Sequence, residues 1–330
     1  MNQLVYSFKN LTDLADNTSA VNVLMSISPI YNRIVIDLSH TDDNENNAFI
    51  NGALSFGPII SMNYSSNDNS LPLKSTSNSL SSRPFTKRQL YLFFNGGEDV
   101  VINNNGPEII YSAGFSLINT RNTTNQYLLT SARCIPDAQN PLEIFYSPWH
   151  PPFSEQLAFY YFGRVFLTQR VGVDFALIEK LEETFKLSLM VRTSIQDYPI
   201  VPIGSVDLDT NLPVGHHICK SGYGTQSWCR KINTIDSRLS LRREGGGRIE
   251  YTGIIKAHIN VLANDIGGTI FYFRIIDDIY IELVGYGICT YIYSNLDLGI
   301  AITPLRNIKN YRTTKRMFDV LEFINSNNTG

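Results

Sequence analysis

The 330-residue sequence is poor in cysteine and in charge, and it lacks a long apolar segment. Its four cysteines, Cys134, Cys219, Cys229 and Cys289, are too few for a scaffold built from disulfides. Charged residues make up 17% of the chain and the net charge is −3, so nothing indicates the basic surface of a nucleic-acid-binding protein. No apolar run reaches the roughly 18 residues of a membrane-spanning helix. We therefore expect neither a nucleic acid nor a membrane as partner.

Aromatic and apolar residues are abundant instead. The chain contains 18 Tyr and 18 Phe, and 43% of its residues are hydrophobic, a composition that favours strands. From Leu90 onward, short apolar runs are separated by Asn, Gly, Pro and Asp, and apolar and polar residues alternate between Ile255 and Val261. Only the tail over 306–326 has apolar residues at helical spacing. The sequence predicts an all-β sandwich or barrel with one C-terminal helix.

The N-terminal part differs from the rest. Residues 1–63 combine strand-like runs with an Asx-rich helix start between them, which predicts a small α+β module. Residues 64–88 are rich in Ser and Asn without periodicity and predict a flexible linker. The linker ends at Lys87 and Arg88, a pair that suits a dibasic processing enzyme. The third predicted unit is a domain over 89–330.

Four segments, in order along the chain, resemble one protease family. They are GFSLINTRNTTNQYLLTSARCI, VGVDFALIEK, VGHHICKSGYGTQSWCRKI and ANDIGGTIF. They resemble, in turn, the segment of chymotrypsin-like serine proteases that ends Thr-Ala-Gly-His-Cys, their Asp-Phe-Ala-Leu segment, their Cys-x-Ser-Gly stretch and their Gly-Asp-Ser-Gly-Gly nucleophile loop. The third segment is typical of the bacterial branch with α-lytic protease and the streptogrisins, and of similar secreted fungal peptidases. The resemblance spans about residues 108–305.

This resemblance implies two six-stranded antiparallel β-barrels, about 108–195 and 196–305, that face one cleft. It also implies the positions of a catalytic triad: Arg133 stands at the histidine position, Asp174 matches the aspartate, and Ile266 stands at the serine position. A guanidinium does not lose its proton near neutral pH and cannot act as a base. An isoleucine side chain has no nucleophilic atom. A Ser-His-Asp mechanism therefore cannot operate with these residues.

Further residues match the scaffold of the family. The resemblance implies a disulfide between Cys219 and Cys229. It also implies a buried ion pair between Asp265 and Lys220, because an isolated buried carboxylate is costly. Cys134 matches a cysteine whose partner is missing here, so we expect a free, buried thiol.

The resemblance also identifies an oxyanion loop around Asp265. In this loop Asn264 replaces a glycine that donates one N–H group, while Gly267 and Gly268 are kept. Because Asn tolerates unusual backbone angles better than most residues, we expect the turn to persist. A partly buried carboxylate at Asp174 needs a cation. This need predicts that the Arg133 guanidinium pairs with it. The alternative is that Arg133 points into solvent and backbone N–H groups alone satisfy the Asp174 carboxylate.

No other residues of the sequence replace the missing chemistry. His216 and His217 are adjacent on a predicted strand and point to opposite faces, so the pair does not fit one metal ion. Ser227 and Ser240 lie in no recognisable motif with a base. We expect no cofactor and no metal.

Three functions remain open. The chain could be a catalytically inactive homologue, a pseudoprotease that binds a peptide or protein, or acts as a decoy, through the inter-barrel cleft. It could be an active serine-type endopeptidase whose nucleophile is misassigned, or a functionless duplicate.

Residues 1–63 resemble the pro-segments of these secreted proteases, which assist the folding of a non-local β topology. The resemblance implies secretion, whereas the N-terminus shows no signal peptide, so a complete N-terminus predicts a cytoplasmic protein.

Overall fold

The computed structural model describes residues 2–28, 33–39, 43–63, 74–75, 92–103, 108–136, 142–147, 159–195, 199–242, 248–276, 280–294, 298–311 and 321–324. The helices in these ranges are α1 (Asn2–Asn17), α2 (Asp43–Ala53) and α3 (Leu305–Asn310). The strands are β1 (Val23–Ser28), β2 (Arg33–Ser39), β3 (Ile59–Asn63), β4 (Lys74–Ser75), β5 (Leu92–Gly96), β6 (Asp99–Asn103), β7 (Glu108–Ser112), β8 (Ser116–Asn119), β9 (Gln126–Thr130), β10 (Glu143–Ser147), β11 (Tyr160–Gln169), β12 (Phe175–Lys180), β13 (Phe185–Arg192), β14 (Ile200–Pro202), β15 (Ser205–Val206), β16 (His217–Gly222), β17 (Gln226–Arg242), β18 (Arg248–Ala257), β19 (Thr269–Ile276), β20 (Tyr280–Ser294), β21 (Leu298–Pro304) and β22 (Leu321–Phe323). In the described part of the chain, no helix combines the length and apolarity that crossing a membrane requires.

Strands dominate these residues, which confirms the predicted all-β class. In the second half of the chain, the strands in the order β16, β19, β20, β21, β18 and β17 are each hydrogen-bonded to the next, and β17 pairs back with β16. This closed ring of six strands lies where the barrel over 196–305 was predicted. One hydrophobic cluster takes residues from all six strands, among them Ile218, Ile232, Ile255 and Ile270.

The first half forms an open sheet in the described residues. Its strand order is β22-β8-β9-β12-β11-β10-β6-β7-β4. The strands β7 to β12 lie within the predicted range 108–195, but β4, β6 and β22 come from outside it. The sheet therefore differs from the six-stranded prediction, because β6 pairs with both β7 and β10 and the two short strands extend the edges. The strands β5, β13 and β14 form a separate three-stranded sheet.

The N-terminal residues extend the second sheet. β1 pairs antiparallel with β17, β2 pairs antiparallel with β1, and β3 runs parallel to β2. A hydrophobic cluster joins the two helices to these strands through Leu11 and Ala15 of α1 and Phe49 of α2. The sequence patterns that predicted a strand, a helix and a strand correspond to β2, α2 and β3. Helix α1 was not predicted.

Charged contacts reinforce the junction between these N-terminal residues and the second half. Arg238 and Arg248 each bind the Asp16 carboxylate of α1, with nitrogen–oxygen distances of 2.5 and 2.6 Å. Lys256 of β18 pairs with Asp37 of β2, and both side chains are 6% exposed. The junction thus combines a strand pairing with ion pairs from two strands of the ring.

Most of the predicted linker over 64–88, including Lys87 and Arg88, lies outside the described residues. Its described part, Lys74 and Ser75, forms β4 and pairs with β7. These two residues therefore belong to a sheet, and the prediction of a free linker is wrong for them. Backbone pairing with the exposed edge of β7 overrides the Ser- and Asn-rich composition of the segment.

The C-terminal helix predicted over 306–326 is wrong in its extent. Helix α3 ends at Asn310, and Tyr311 has extended backbone angles, with φ −67° and ψ 131°. Further along, Leu321–Phe323 pairs antiparallel with β8. Leu321 and Ile324 are buried, and Leu321 belongs to the strand that pairs with β8. Tertiary pairing decides the local structure here, and a spacing of three to four residues cannot show it.

The two halves of the chain meet backbone to backbone at glycines. A Cβ on Gly267, whose φ is +88°, would lie 2.1 Å from the Thr130 hydroxyl and 2.4 Å from the Ser112 carbonyl oxygen. A Cβ on Gly114 would lie 3.1 Å from the Gly267 carbonyl oxygen of the other half, and 2.5 Å from the Leu129 carbonyl oxygen of its own half. Only glycine fits at either position. The loop before β19 therefore packs directly against β7 and β9.

Candidate functional site

Two of the predicted triad positions lie side by side in the first half. Strand β9 ends at Thr130, and Ser131 caps a single 3-10 turn that carries Arg133. Asp174 directly precedes β12, and β12 pairs with β9 so that Ala176 faces Thr130. This register places Asp174 beside the start of the turn.

Ile266 reaches the same place from the second half. It follows a 3-10 turn at Ala263–Asp265, and its side chain is 2% exposed. It belongs to the hydrophobic cluster that contains Ala132 and Cys134. Its carbonyl accepts hydrogen bonds from the Ser112 amide at 3.0 Å and from the Cys134 thiol at 3.5 Å. The position predicted to correspond to the nucleophile is thus filled by an apolar side chain in the core.

Asp174 is fully buried and is held by Ser131. The Ser131 hydroxyl donates a hydrogen bond to Asp174 Oδ2 and accepts one from the Arg133 amide at 3.2 Å. The second carboxylate oxygen, Oδ1, has no hydrogen-bond partner among the described residues. Burial raises the pKa of Asp174 to about 6, although the Ser131 hydrogen bond and the charges of Arg133 and Arg170 act in the opposite direction. The negative charge at this position is therefore incompletely compensated.

Arg133 does not form the predicted ion pair with Asp174. Its guanidinium carbon lies 4.7 Å from the centroid of the Tyr291 ring, which is a cation–π geometry. The 3-10 turn directs the Arg133 amide, not its side chain, toward the acid, and the Ser131 hydroxyl occupies the accepting oxygen. The charge of Arg133 and its backbone amide both lower the pKa of Asp174, without an ion pair between the side chains.

The oxyanion loop uses its amide groups within the backbone. The N–H groups of residues 265–268 all donate to backbone carbonyls, at 2.7 to 3.2 Å. Among them, the Ile266 N–H donates to the Ala263 carbonyl, although the amide at the nucleophile position is an oxyanion donor in this mechanism. Asn264 lies inside the 3-10 turn and does not adopt positive φ, whereas Gly267 does. The turn is present, with its amides directed inward.

Beneath this loop, Lys220 and Asp265 form the ion pair expected from the sequence. Lys220 Nζ lies 3.0 Å from Asp265 Oδ2, and the side chains are 1% and 0% exposed. Thr225 donates to both carboxylate oxygens, from its amide at 3.0 Å and from its hydroxyl at 2.8 Å, and the Leu262 amide donates to Oδ2 at 2.8 Å. Burial lowers the pKa of Lys220, while the Asp265 charge opposes this effect. Several hydrogen bonds thus compensate the cost of burying the carboxylate.

The cysteines behave as expected. Cys219 and Cys229 face each other across β16 and β17, and their disulfide is confirmed. Cys134 and Cys289 are free and buried. Burial raises the pKa of both thiols. A buried, protonated thiol is not a nucleophile, so neither cysteine replaces the missing serine.

The remaining candidate residues do not gather at this site. The His216 ring packs at 5.3 Å from the Tyr272 ring, next to His217 at the start of β16. Ser240 donates to the Ala20 carbonyl at 3.1 Å, at the junction with the N-terminal residues. Ser227 bonds with Ser194, at 2.8 Å between the hydroxyls. Within the described ranges, no group of three His, Cys, Asp or Glu side chains could hold a metal ion.

Two residues of the site were not predicted. In the resemblance, Ser131 takes the place of the alanine in the Thr-Ala-Gly-His-Cys segment. This difference could have predicted a hydroxyl that binds the Asp174 carboxylate. Tyr291 belongs to strand β20 and carries no signal that connects it to Arg133. Their contacts account for the side-chain arrangement of Asp174 and Arg133.

No protein-family model and no curated protein matches the sequence. Similar solved structures include protease A of Thermobifida fusca, at 14% identity and a TM-score of 0.46, and a chymotrypsin of Cellulomonas bogoriensis, at 16% and 0.47. A third is a Nocardiopsis protease, at 14% and 0.45. The first two matches each cover 71% of this chain and 100% of the other chain. The match with the Nocardiopsis protease covers 70% of this chain and 99% of the other.

Proposed function

We propose that the protein is a catalytically inactive homologue of the chymotrypsin-like serine endopeptidases, from their bacterial-type branch. Its function is then to bind a peptide or protein at the surface around Arg133. The observation that carries this proposal is the burial of Ile266 in the core beside Ala132 and Cys134. Hydrolysis by the family mechanism needs an accessible nucleophile next to a base. These positions hold an aliphatic side chain and a guanidinium that keeps its proton.

The oxyanion loop supports the same proposal. Because the Ile266 N–H already donates to the Ala263 carbonyl, it does not face a reacting carbonyl group. Loss of one oxyanion donor typically lowers kcat by roughly 100- to 1000-fold. The loop is nevertheless well supported by the Lys220–Asp265 ion pair. A maintained scaffold without the reactive groups fits a binding protein.

If the protein is instead an active peptidase with a misassigned nucleophile, Ser131 is a candidate for that nucleophile, because its hydroxyl has an acidic partner. Its hydroxyl bonds to Asp174, but both residues are 0% exposed. A substrate carbonyl cannot reach a buried hydroxyl, and among the described residues no imidazole is hydrogen-bonded to Ser131 or Asp174. The third possibility, a functionless duplicate, predicts no selective ligand and is decided by binding measurements.

The pairing of β1 with β17 favours a second function, for residues 1–63. We propose that these residues act as a pro-segment that assists folding of the second half. Strand β1 offers a template edge to β17, and the ring that contains β17 also needs the distant pairings of β16 with β19 and of β18 with β21. We also propose secretion, which the disulfide between Cys219 and Cys229 supports, because such bridges persist in oxidising compartments.

A peptidase assay tests the loss of catalysis. The full chain is incubated with fluorogenic peptide libraries and with a fluorophosphonate probe, beside an active serine protease as positive control. We expect neither cleavage nor labelling, and none from Arg133→His or Ile266→Ser alone, because base and nucleophile act as a unit. Hydrolysis that the probe blocks would overturn the proposal. Loss of such activity in Ser131→Ala, but not in Ser227→Ala, would identify the nucleophile.

A further inference from the structure

The guanidinium of Arg133 keeps its hydrogen-bonding edge available. Its amide is bound to Ser131, and one face of the guanidinium covers the Tyr291 ring. No described carboxylate pairs with this guanidinium, and its side-chain N–H groups make no hydrogen bond to the described residues. The residue is partly exposed. A guanidinium that is stacked on a ring still presents its donors in the plane of the group.

The acid next to this group does not offset its outer edge. Arg133 and Arg170 are the cations whose charges lower the pKa of Asp174. Arg170 donates to the Ala132 carbonyl at 3.2 Å and also to the Ile135 carbonyl. The carboxyl group of Asp174 is buried and is bound by the Ser131 hydroxyl, so it does not neutralise the outer edge of Arg133.

Resting on the proposed binding function, we propose that the ligand is an acidic peptide segment whose carboxylate binds the open edge of Arg133. A guanidinium offers two parallel N–H groups that match the two oxygens of a carboxylate. The stacking on Tyr291 holds the guanidinium in one orientation before the ligand arrives, which lowers the entropic cost of binding. The carboxylate belongs either to an Asp or Glu side chain or to the C-terminus of the peptide.

A peptide array distinguishes these two sources. Short peptides with randomised flanking positions carry Glu or Asp at the centre and have both ends blocked. A second set carries Gln or Asn at the centre with blocked ends, and a third carries Gln or Asn with a free C-terminal carboxylate. We expect the full-length protein to bind the first or the third set about tenfold more tightly than the second, the effect of one charge-assisted pair.

Variants of the full chain identify the residue responsible. Arg133→Gln is expected to abolish the preference, and Arg133→Lys to reduce it, since lysine keeps the charge but loses the planar fork. The matched control is Arg230→Gln, because Arg230 also lies over an aromatic ring, Trp228, at 5.6 Å. This control is expected to keep the preference. Equal thermal unfolding of the two glutamine variants shows that folding is not the cause.

The outcomes separate this inference from the proposed function. Equal binding of all three peptide sets overturns the acidic ligand and leaves a binding protein. A preference that persists in Arg133→Gln overturns the role of Arg133. Binding of no peptide set overturns both the inference and the binding function. Peptide hydrolysis overturns the inactive homologue but not the acid preference, which the same array still measures.

Discussion

Lys220 and Asp265 form an ion pair at 3.0 Å in which neither side chain is more than 1% exposed. The pair lies directly under the loop in which Asp265 is followed by Ile266, the residue that the sequence resemblance assigned to the nucleophile position. The support of this loop is therefore present although the Ile266 side chain offers no reactive group. Such a buried pair specifies one loop conformation as long as both partners remain.

Removing the lysine tests this support. Lys220→Met is expected to lower the free energy of unfolding by about 3–5 kcal/mol, because it leaves the Asp265 carboxylate buried without its cation. Arg164→Ala is the control, since its ion pair with Glu179 has a 54% exposed arginine and is worth about 0–1 kcal/mol. Denaturant midpoints measure both changes. Similar losses in the two variants would contradict a dominant role of the buried pair.

The raised pKa of Asp174 predicts a pH dependence of stability. Its value of about 6 lies above the ordinary value of about 3.9, a difference that corresponds to about 3 kcal/mol. Because the folded-state pKa is the higher one, this stabilisation is full below about pH 4 and is lost as the pH rises through about 6. Asp174→Asn removes the ionisable group and with it this loss of stability. Its amide oxygen can still accept a hydrogen bond from the Ser131 hydroxyl.

Unfolding curves at pH 4 and pH 8 measure this effect. The free energy of unfolding of Asp174→Asn, taken relative to that of the unchanged protein, is expected to be higher at pH 8 than at pH 4, by up to about 3 kcal/mol. Ser131→Ala serves as the control that removes the hydrogen bond but keeps the carboxyl group. The same difference between variant and parent at both pH values would mean that the pKa of Asp174 is ordinary.

The position of Arg133 predicts a small effect on stability. Since its guanidinium stacks on Tyr291 at 4.7 Å and pairs with no described carboxylate, Arg133→Ala is expected to cost about 0.5–1 kcal/mol. A double-mutant cycle with Tyr291→Leu is expected to show most of this energy as coupling between the two residues. A loss of about 3–5 kcal/mol would instead indicate a buried ion pair with Asp174.

The N-terminal residues are expected to raise the folding yield of the remainder. Residues 89–330 alone should refold poorly, and residues 1–88 added in trans should restore the yield, because β1 templates β17. The control is a 1–88 segment with Asp16→Ala and Asp37→Ala, which loses the ion pairs to Arg238 and Lys256. Equal yields with and without the segment would contradict the pro-segment role.

The sequence predicted elements whose signals are local. Alternation around Ile255 predicted a strand of the ring, and the resemblance placed Cys219–Cys229 and Lys220–Asp265 correctly. The orientation of Arg133 could not be predicted, because it depends on a 3-10 turn and on Tyr291, far along the chain. Charge alone suggested Asp174 as its partner, but the Ser131 hydroxyl binds one oxygen of that carboxylate and the charge stays incompletely compensated.

The C-terminal segment shows a second limit. Its apolar spacing is compatible with a helix, and the partner that converts Leu321–Phe323 into a strand, β8, lies about two hundred residues earlier. The same limit applies to Lys74 and Ser75, because the composition of their segment does not indicate that they pair with β7. Long-range pairing is the common cause of both errors.

The glycine contact between the two halves limits how the molecule can move. Gly267 lies so close to Thr130 and Ser112 that the two halves cannot slide past each other or move closer together without a collision. The Ser112 hydroxyl further ties the halves by donating to the Asn264 carbonyl at 2.5 Å. The ligand proposed for Arg133 is therefore expected to meet a surface already in its final shape. We expect its association to be a single step, with a rate set by diffusion and electrostatic steering.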